Sequence, residues 1–197
     1  MPLLQNGSIK TNIINMSLVM EELSDELLIE ETLAGNHEAF AKLVARHKRK
    51  VFRTAARFAG NSAELDDICQ NVFIKAYENL RSFRNSAPFE HWLARITVRT
   101  CYDALRKRRP DGSHSLTYEI KDDSIEEKQD AEEARKLLEW AMSKLRPDER
   151  LVITLLELEE RPVREIAELT GWSESNVKVK AHRARQALKG ILEARDE

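Results

Sequence analysis

The chain has 197 residues, 42% of them apolar and 34% charged, with a formal net charge of −2. Apolar material suffices for one or two small cores, while no run approaches the roughly 18 apolar residues of a membrane span. The polar N-terminus lacks the charged-then-apolar pattern of a signal peptide, so a cytoplasmic protein without a membrane insertion is expected.

Cys69 and Cys101, the two cysteines, fall in helical patterns without CxxC or Cys/His spacing. They are read as small buried side chains and not as a disulfide framework or metal site. No glycine belongs to a GxGxxG or GxxxxGK[ST] loop, and no nucleophile-base pair stands out, so neither a cofactor nor an enzyme is expected. The charge is divided along the chain. Residues 24–110 hold 16 basic and 11 acidic side chains, residues 111–130 hold 2 and 7, and residues 131–197 hold 13 and 14. Helix-favouring composition and 3.6-residue periods predict an all-α chain: two small helical domains on a flexible acidic linker.

In chain order, residues 1–23 carry no period and are expected to be a mobile tail, with Met16 and Met20 leaving the start site open. Ser24 caps a short helix with Leu27, Leu28 and Leu33 inward, ended at Gly35. Asn36 caps a second helix with Phe40, Leu43, Val44, Val51, Phe52, Ala55 and Phe58 inward. Asn61 and Glu64 have capping-box spacing ahead of a third helix whose Leu65, Ile68, Cys69, Val72, Phe73, Ala76 and Leu80 form one stripe. Pro88 opens a fourth helix with Phe89, Trp92, Leu93, Ile96, Cys101, Ala104 and Leu105 inward. Residues 111–130 read as linker. The block 131–197 then gives a helix with Leu137, Leu138, Ala141 and Leu145, another over 147–158, and a final pair over 163–170 and 173–192.

That pair has helix-turn-helix spacing. Ile166, Ala167 and Leu169 pack inward, Gly171 permits the sharp turn, and Ser173 caps a longer helix with Val177, Ala181, Ala184, Leu188 and Ile191 toward the core. Its other side is cationic, with Lys178, His182, Arg185 and Lys189 in register and Lys180 and Arg183 beside them. Such a helix fits a DNA major groove. Glu174, Ser175, Asn176 and Lys178 are placed to read base edges, and Arg183, Arg185 and Lys189 to meet phosphates.

On the fourth helix His91, Arg95, Arg99, Tyr102, Arg106 and Arg109 form a second basic stripe. The preceding loop sets Phe83 among Arg81, Arg84 and Asn85. Cations beside an aromatic loop suit single-stranded nucleic acid, where an unpaired base stacks on a ring or enters a pocket. The third helix instead turns Asp66, Asp67, Gln70, Asn71 and Ile74 outward, an acidic and amide patch suited to a basic protein surface.

The ordered set EAFAKLVARH, DDICQNVFIKAY, FRNSAPFEHWLARITVRTCYDALRKRRP and REIAELTGWSESNVKVKAHRARQAL resembles bacterial RNA polymerase sigma factors of the extracytoplasmic-function (ECF) group. The resemblance implies a region-two-like domain over 24–110 and a region-four-like domain over 131–197. It implies docking of Asp66, Asp67, Gln70 and Phe73 on the coiled coil of the polymerase largest subunit, and contact of the second domain with the flap region. It further implies recognition and opening of the minus-ten element on the non-template strand by residues of Phe83 through Arg109, and of the minus-thirty-five duplex by residues of Ser173 through Lys189. An anti-sigma factor is an expected partner. Asn71 stands where family members usually carry Glu or Asp, and Pro162 where a Ser cap is common. Two rivals remain: a free-standing helix-turn-helix regulator, which leaves the Asp66 patch without work, and a sigma mimic that titrates an anti-sigma factor.

Overall fold

The computed structural model describes residues 23–108 and 127–196. Residues 1–22 of the expected tail, residues 111–126 of the expected linker, and Arg109 lie outside the described residues. Residues 127–130, expected as linker, instead open the first helix of the second half, because the run EKQDAEEARK is rich in helix-favouring side chains.

Every described element is helical: α1 (Asp25–Leu33), α2 (His37–Ala56), α3 (Ser62–Asn79) with a 3-10 turn (Leu80–Ser82), α4 (Phe89–Lys107), α5 (Glu127–Ser143), α6 (Pro147–Ile153) continuing as a π turn (Thr154–Leu158), α7 (Val163–Thr170) and α8 (Glu174–Asp196). The starts follow local chemistry. Ser24, Asn36 and Asn61 each accept a hydrogen bond from an otherwise orphaned amide of the first turn, the last from Glu64 N at 2.8 Å. Glu64 reaches back to accept from the amide of Gly60 at 2.6 Å, so the expected capping-box pair closes on a donor one residue upstream of the usual N-cap amide.

The inward face of α1 differs from the expectation. Leu28, Ile29 and Thr32 are buried, whereas Leu27 and Leu33 face solvent. Asp25 explains the rotation: its carboxylate receives Arg46 at 2.6 Å and the buried His47 Nε2 at 2.8 Å, which fixes the phase of α1 against α2. Leu138 on α5 is likewise exposed.

The core gathers the predicted stripes. Leu43, Val51 and Ala55 of α2 meet Leu65, Ile68, Val72 and Ala76 of α3 and Leu93, Val98, Cys101 and Leu105 of α4. The same apolar cluster continues into the second half through Leu151, Leu155, Ile166, Leu169, Val177 and Ala181, because α4 packs against both α6 and α7. A smaller cluster of Met142, Leu145, Ile153 and Ala184 seats α5 and α6 on α8. Burial pushes both thiols up, Cys69 to about 11 with Asp66 adding to the effect, and Cys101 further still, in keeping with two apolar-packed side chains.

The junction between the halves is polar as well as apolar. Arg57 lies 3.5 Å from Glu159 across it. Arg108, at the end of α4, binds Glu64 at 2.5 Å and the Phe58 carbonyl at 2.8 Å. Arg150 of α6 is buried, with no hydrogen-bond partner for its Nε among the described residues. Its removal from water, with repulsion from Arg108, holds the guanidinium down to about 10.

Candidate nucleic-acid and polymerase interfaces

On α3 the stripe Leu65, Ile68, Val72 and Ala76 is consumed by the core, which turns the opposite face outward. Asp66, Asp67, Gln70, Asn71 and Ile74 are all exposed, and Phe73 is half-buried against the core beneath them. The carboxylates of Asp66 and Asp67 make no ion pair or hydrogen bond with the described residues. Asp67 and Asn71 rim an open cleft of about 490 Å³ between α3 and α4, which Lys75, Asp103 and Arg108 also line. A partner burying this face would have to supply positive charge or donors.

The loop before α4 gives Phe83 a split position. It is half-buried, edge-on to Phe89 and Trp92 at centroid distances of 5.7 Å each, so these rings brace one another. Arg84 and Asn85 beside it are exposed, and Asn85 adopts φ of 52°, a left-handed conformation that Asn tolerates better than most side chains. Along α4, His91, Arg95, Arg99 and Arg106 are exposed, and Arg106 lies over the Tyr102 ring at 5.8 Å. The middle of the stripe is shared with the second half of the chain. Tyr102 packs edge-on to Trp172, and the Arg99 Nη2 lies 3.2 Å from where a Cβ on Gly171 would stand.

In the C-terminal pair, α7 ends at Gly171, whose φ of 82° makes the sharp turn. Ser173 then accepts a hydrogen bond from Asn176 N at 3.2 Å. Pro162, at the N-cap of α7, makes no side-chain cap bond. Val177, Ala181 and Ala184 are buried, leaving Ser173, Glu174, Ser175, Asn176, Lys178, His182, Arg183, Arg185 and Lys189 exposed. Arg185 pairs with Glu157 at 2.6 Å and Lys189 with Glu193 at 3.6 Å. Both pairs are solvent-exposed, of the kind worth about 0–1 kcal/mol, and can be exchanged for phosphate.

Lys180 departs from the expected outer face. It is mostly buried, paired with Asp148 of α6 and placed over the Trp172 ring at 4.8 Å. Burial alone would raise the Asp148 carboxyl, but the hydrogen bond and charge of Lys180, aided by Arg146, hold it below the usual carboxylate range. Lys180 thus fastens α8 to α6, a tertiary role that sequence spacing could not separate from a phosphate contact. Trp172 and Arg150 were also missed, since an aromatic after the turn glycine and an arginine between apolar residues carry no periodic signal. Among the described residues no group of His, Cys, Asp and Glu is arranged to hold a metal ion, and no helix is long and apolar enough to cross a membrane.

These features define an all-helical chain of two regions, the first with an outward acidic face and a basic helix behind an aromatic loop, the second with a helix-turn-helix. Residues 43–110 match the Sigma-70 region 2 family model, and residues 135–188 match Sigma-70 region 4. The chain is 32% identical over 176 residues to the ECF RNA polymerase sigma factor SigW of Bacillus subtilis, covering 83% of this chain and 94% of that protein. It is 33% identical over 180 residues to the ECF RNA polymerase sigma-E factor of Escherichia coli K12, covering 85% and 94%. Among solved structures it resembles CnrH in complex with the cytosolic domain of CnrY, with a TM-score of 0.57 and 29% identity over 86% of this chain and 97% of that one. The sigma factor RpoE of Bartonella quintana, solved with the anti-sigma factor NepR, shares the fold at a TM-score of 0.55 and 20% identity, over 78% and 96%.

The chain belongs to the ECF RNA polymerase sigma factors. As such it directs RNA polymerase to promoters and is itself non-catalytic, the chemistry of RNA synthesis residing in the polymerase.

Proposed function

We propose that the two helical regions divide promoter recognition between them while one face of the first grips the polymerase. Asp66, Asp67, Gln70, Asn71 and Ile74, supported by Phe73, dock on a basic surface of the largest subunit. Phe83, Arg84, Asn85, His91, Arg95, Arg99, Tyr102, Arg106 and Arg109 engage the non-template strand of the minus-ten element and offset part of the melting cost. Ser173, Glu174, Ser175, Asn176, Lys178, His182, Arg183, Arg185 and Lys189 read the minus-thirty-five duplex, with Lys180 acting through the position of α8. The first domain is taken as 24–110 and the second as beginning with α5 at Glu127 and running to 197, with 111–126 between them and 1–23 as a separate tail.

The observation that carries this reading is the segregation of charge. The exposed carboxylates of Asp66 and Asp67 lack internal partners, while Arg95, Lys178 and Arg183, also exposed and without ion pairs among the described residues, lie on α4 and α8. Such complementary fields steer binding to opposite partners. An anti-sigma factor is proposed as a further partner, on the family resemblance and because CnrH was solved with a cytosolic protein domain bound.

The test is a gel shift with purified core polymerase and a promoter duplex. Lys178→Ala should weaken binding at the upstream element and leave association with core intact. Asp66→Lys with Asp67→Lys should abolish association with core. Equal loss of both functions in folded variants would refute the division.

A further inference from the structure

The exposed face of α8 is not uniformly polar. Successive residues of an α-helix are separated by roughly 100° around its axis. With Val177, Ala181 and Ala184 buried, the strip directly opposite them carries Ser175, Val179, His182 and Gln186, all exposed. Lys178, Arg185 and Lys189 run along one flank of that strip, and Arg183 lies on the other. Val179 is the apolar member of the central strip and is 48% exposed.

Folding gives no reason for a valine there. A β-branched residue is a poorer helix former than Ala, Lys or Gln, and its isopropyl group packs into neither apolar cluster. The flanking cations do suggest a use. When a helix lies in a major groove, its flanks meet the phosphates along the walls and its central strip meets base edges on the floor. Among the base-edge features presented there, donors and acceptors reward polar side chains. An isopropyl group is rewarded by the C5 methyl of thymine.

We propose that Val179 is a specificity residue of α8 that reads a thymine methyl in the upstream promoter element. The inference rests on the reading of α8 as the groove-entering helix. Burying about one methyl group is worth roughly fourfold in affinity, enough to prefer an A·T pair in one orientation but not to anchor the complex.

The experiment uses the core polymerase bound to the full chain. A promoter is first selected from a duplex pool randomised upstream of a fixed minus-ten element, and deoxyuridine then replaces each upstream thymine singly, removing only the methyl. At one position the wild-type complex should lose about three- to fivefold in affinity, while a Val179→Ala complex, already weakened on the thymine duplex, should lose less than about 1.5-fold. Val179→Ala raises helix propensity on an exposed site, so its fold is not at risk. If no thymine methyl affects binding, if the selected element lacks an A·T pair, or if Val179→Ala retains the full sensitivity, the role of Val179 is overturned while the groove reading stands. If selection yields no upstream element at all, the groove reading itself fails and the proposal falls with it.

Discussion

Tyr102 of α4 and Trp172 of the helix-turn-helix meet edge to face, with ring centroids 5.5 Å apart and planes at 88°. The pair joins the two helical regions at the middle of the α4 stripe, where the Arg99 guanidinium also lies over Gly171. A base stacked on Tyr102 would compete with Trp172 for the same ring, so strand capture through Tyr102 requires this contact to break. Trp172→Ala, which also removes the cation-π contact with Lys180, should weaken the junction by about 1–3 kcal/mol. Small-angle scattering should then report a larger radius of gyration. A folded variant with an unchanged profile would contradict the role given to the pair.

Gly171 is held at φ of 82°, and a Cβ there would meet only the mobile end of Arg99, at 3.2 Å. Backbone strain therefore outweighs crowding. Gly171→Ala should cost on the order of 1–2 kcal/mol in a denaturant titration, and Gly171→Asn less, because Asn visits the left-handed region more readily. Equal costs would point to crowding instead.

The Lys180 and Asp148 pair predicts a pH dependence. Asp148 sits below its unfolded value of about 3.9, so its contribution is present above that pH and is lost as pH falls through the lower folded value. Lys180→Ala should destabilise the chain by about 1–2 kcal/mol at pH 7, between the ranges for exposed and buried pairs. The difference from wild type should shrink in denaturant titrations as pH drops below about 4. A constant difference across that window would assign the loss to packing on Trp172.

Much of this arrangement was legible in the sequence, and the parts that were not share a cause. The stripes of α3 and α4, the caps at Asn36 and Asn61, and the turn at Gly171 follow from periodicity and local hydrogen bonding, which act within a few residues. Lys180 and Arg183 look alike at that range. Only the placement of Asp148, 32 residues away, decides that one is a brace and the other faces out. The phase of α1 was likewise set by His47 and Arg46 on another helix. Val179 was overlooked because an apolar residue amid cations reads as noise until its exposure is known.

Salt dependence separates the exposed cations of α8. Arg183 makes no ion pair among the described residues, whereas Arg185 already holds Glu157 at 2.6 Å. Arg183→Ala should reduce the slope of log affinity against log salt by about 1 in binding of the holoenzyme to a promoter duplex. Arg185→Ala should reduce it by less, since Arg185 must leave a carboxylate to gain a phosphate. The reverse order would mean that Arg185 is the principal phosphate contact.

The claim on which the rest depends is that the acidic face of α3 and the basic faces of α4 and α8 serve different partners at once. Size-exclusion chromatography of the chain with core polymerase at low ionic strength, with and without promoter duplex, tests it most directly. The account predicts co-elution with core in the absence of DNA, its loss on reversing Asp66 and Asp67, and its persistence when Lys178 and Arg183 are replaced by alanine. Tight, sequence-specific binding of the free chain to duplex DNA together with failure to co-elute with core would contradict it.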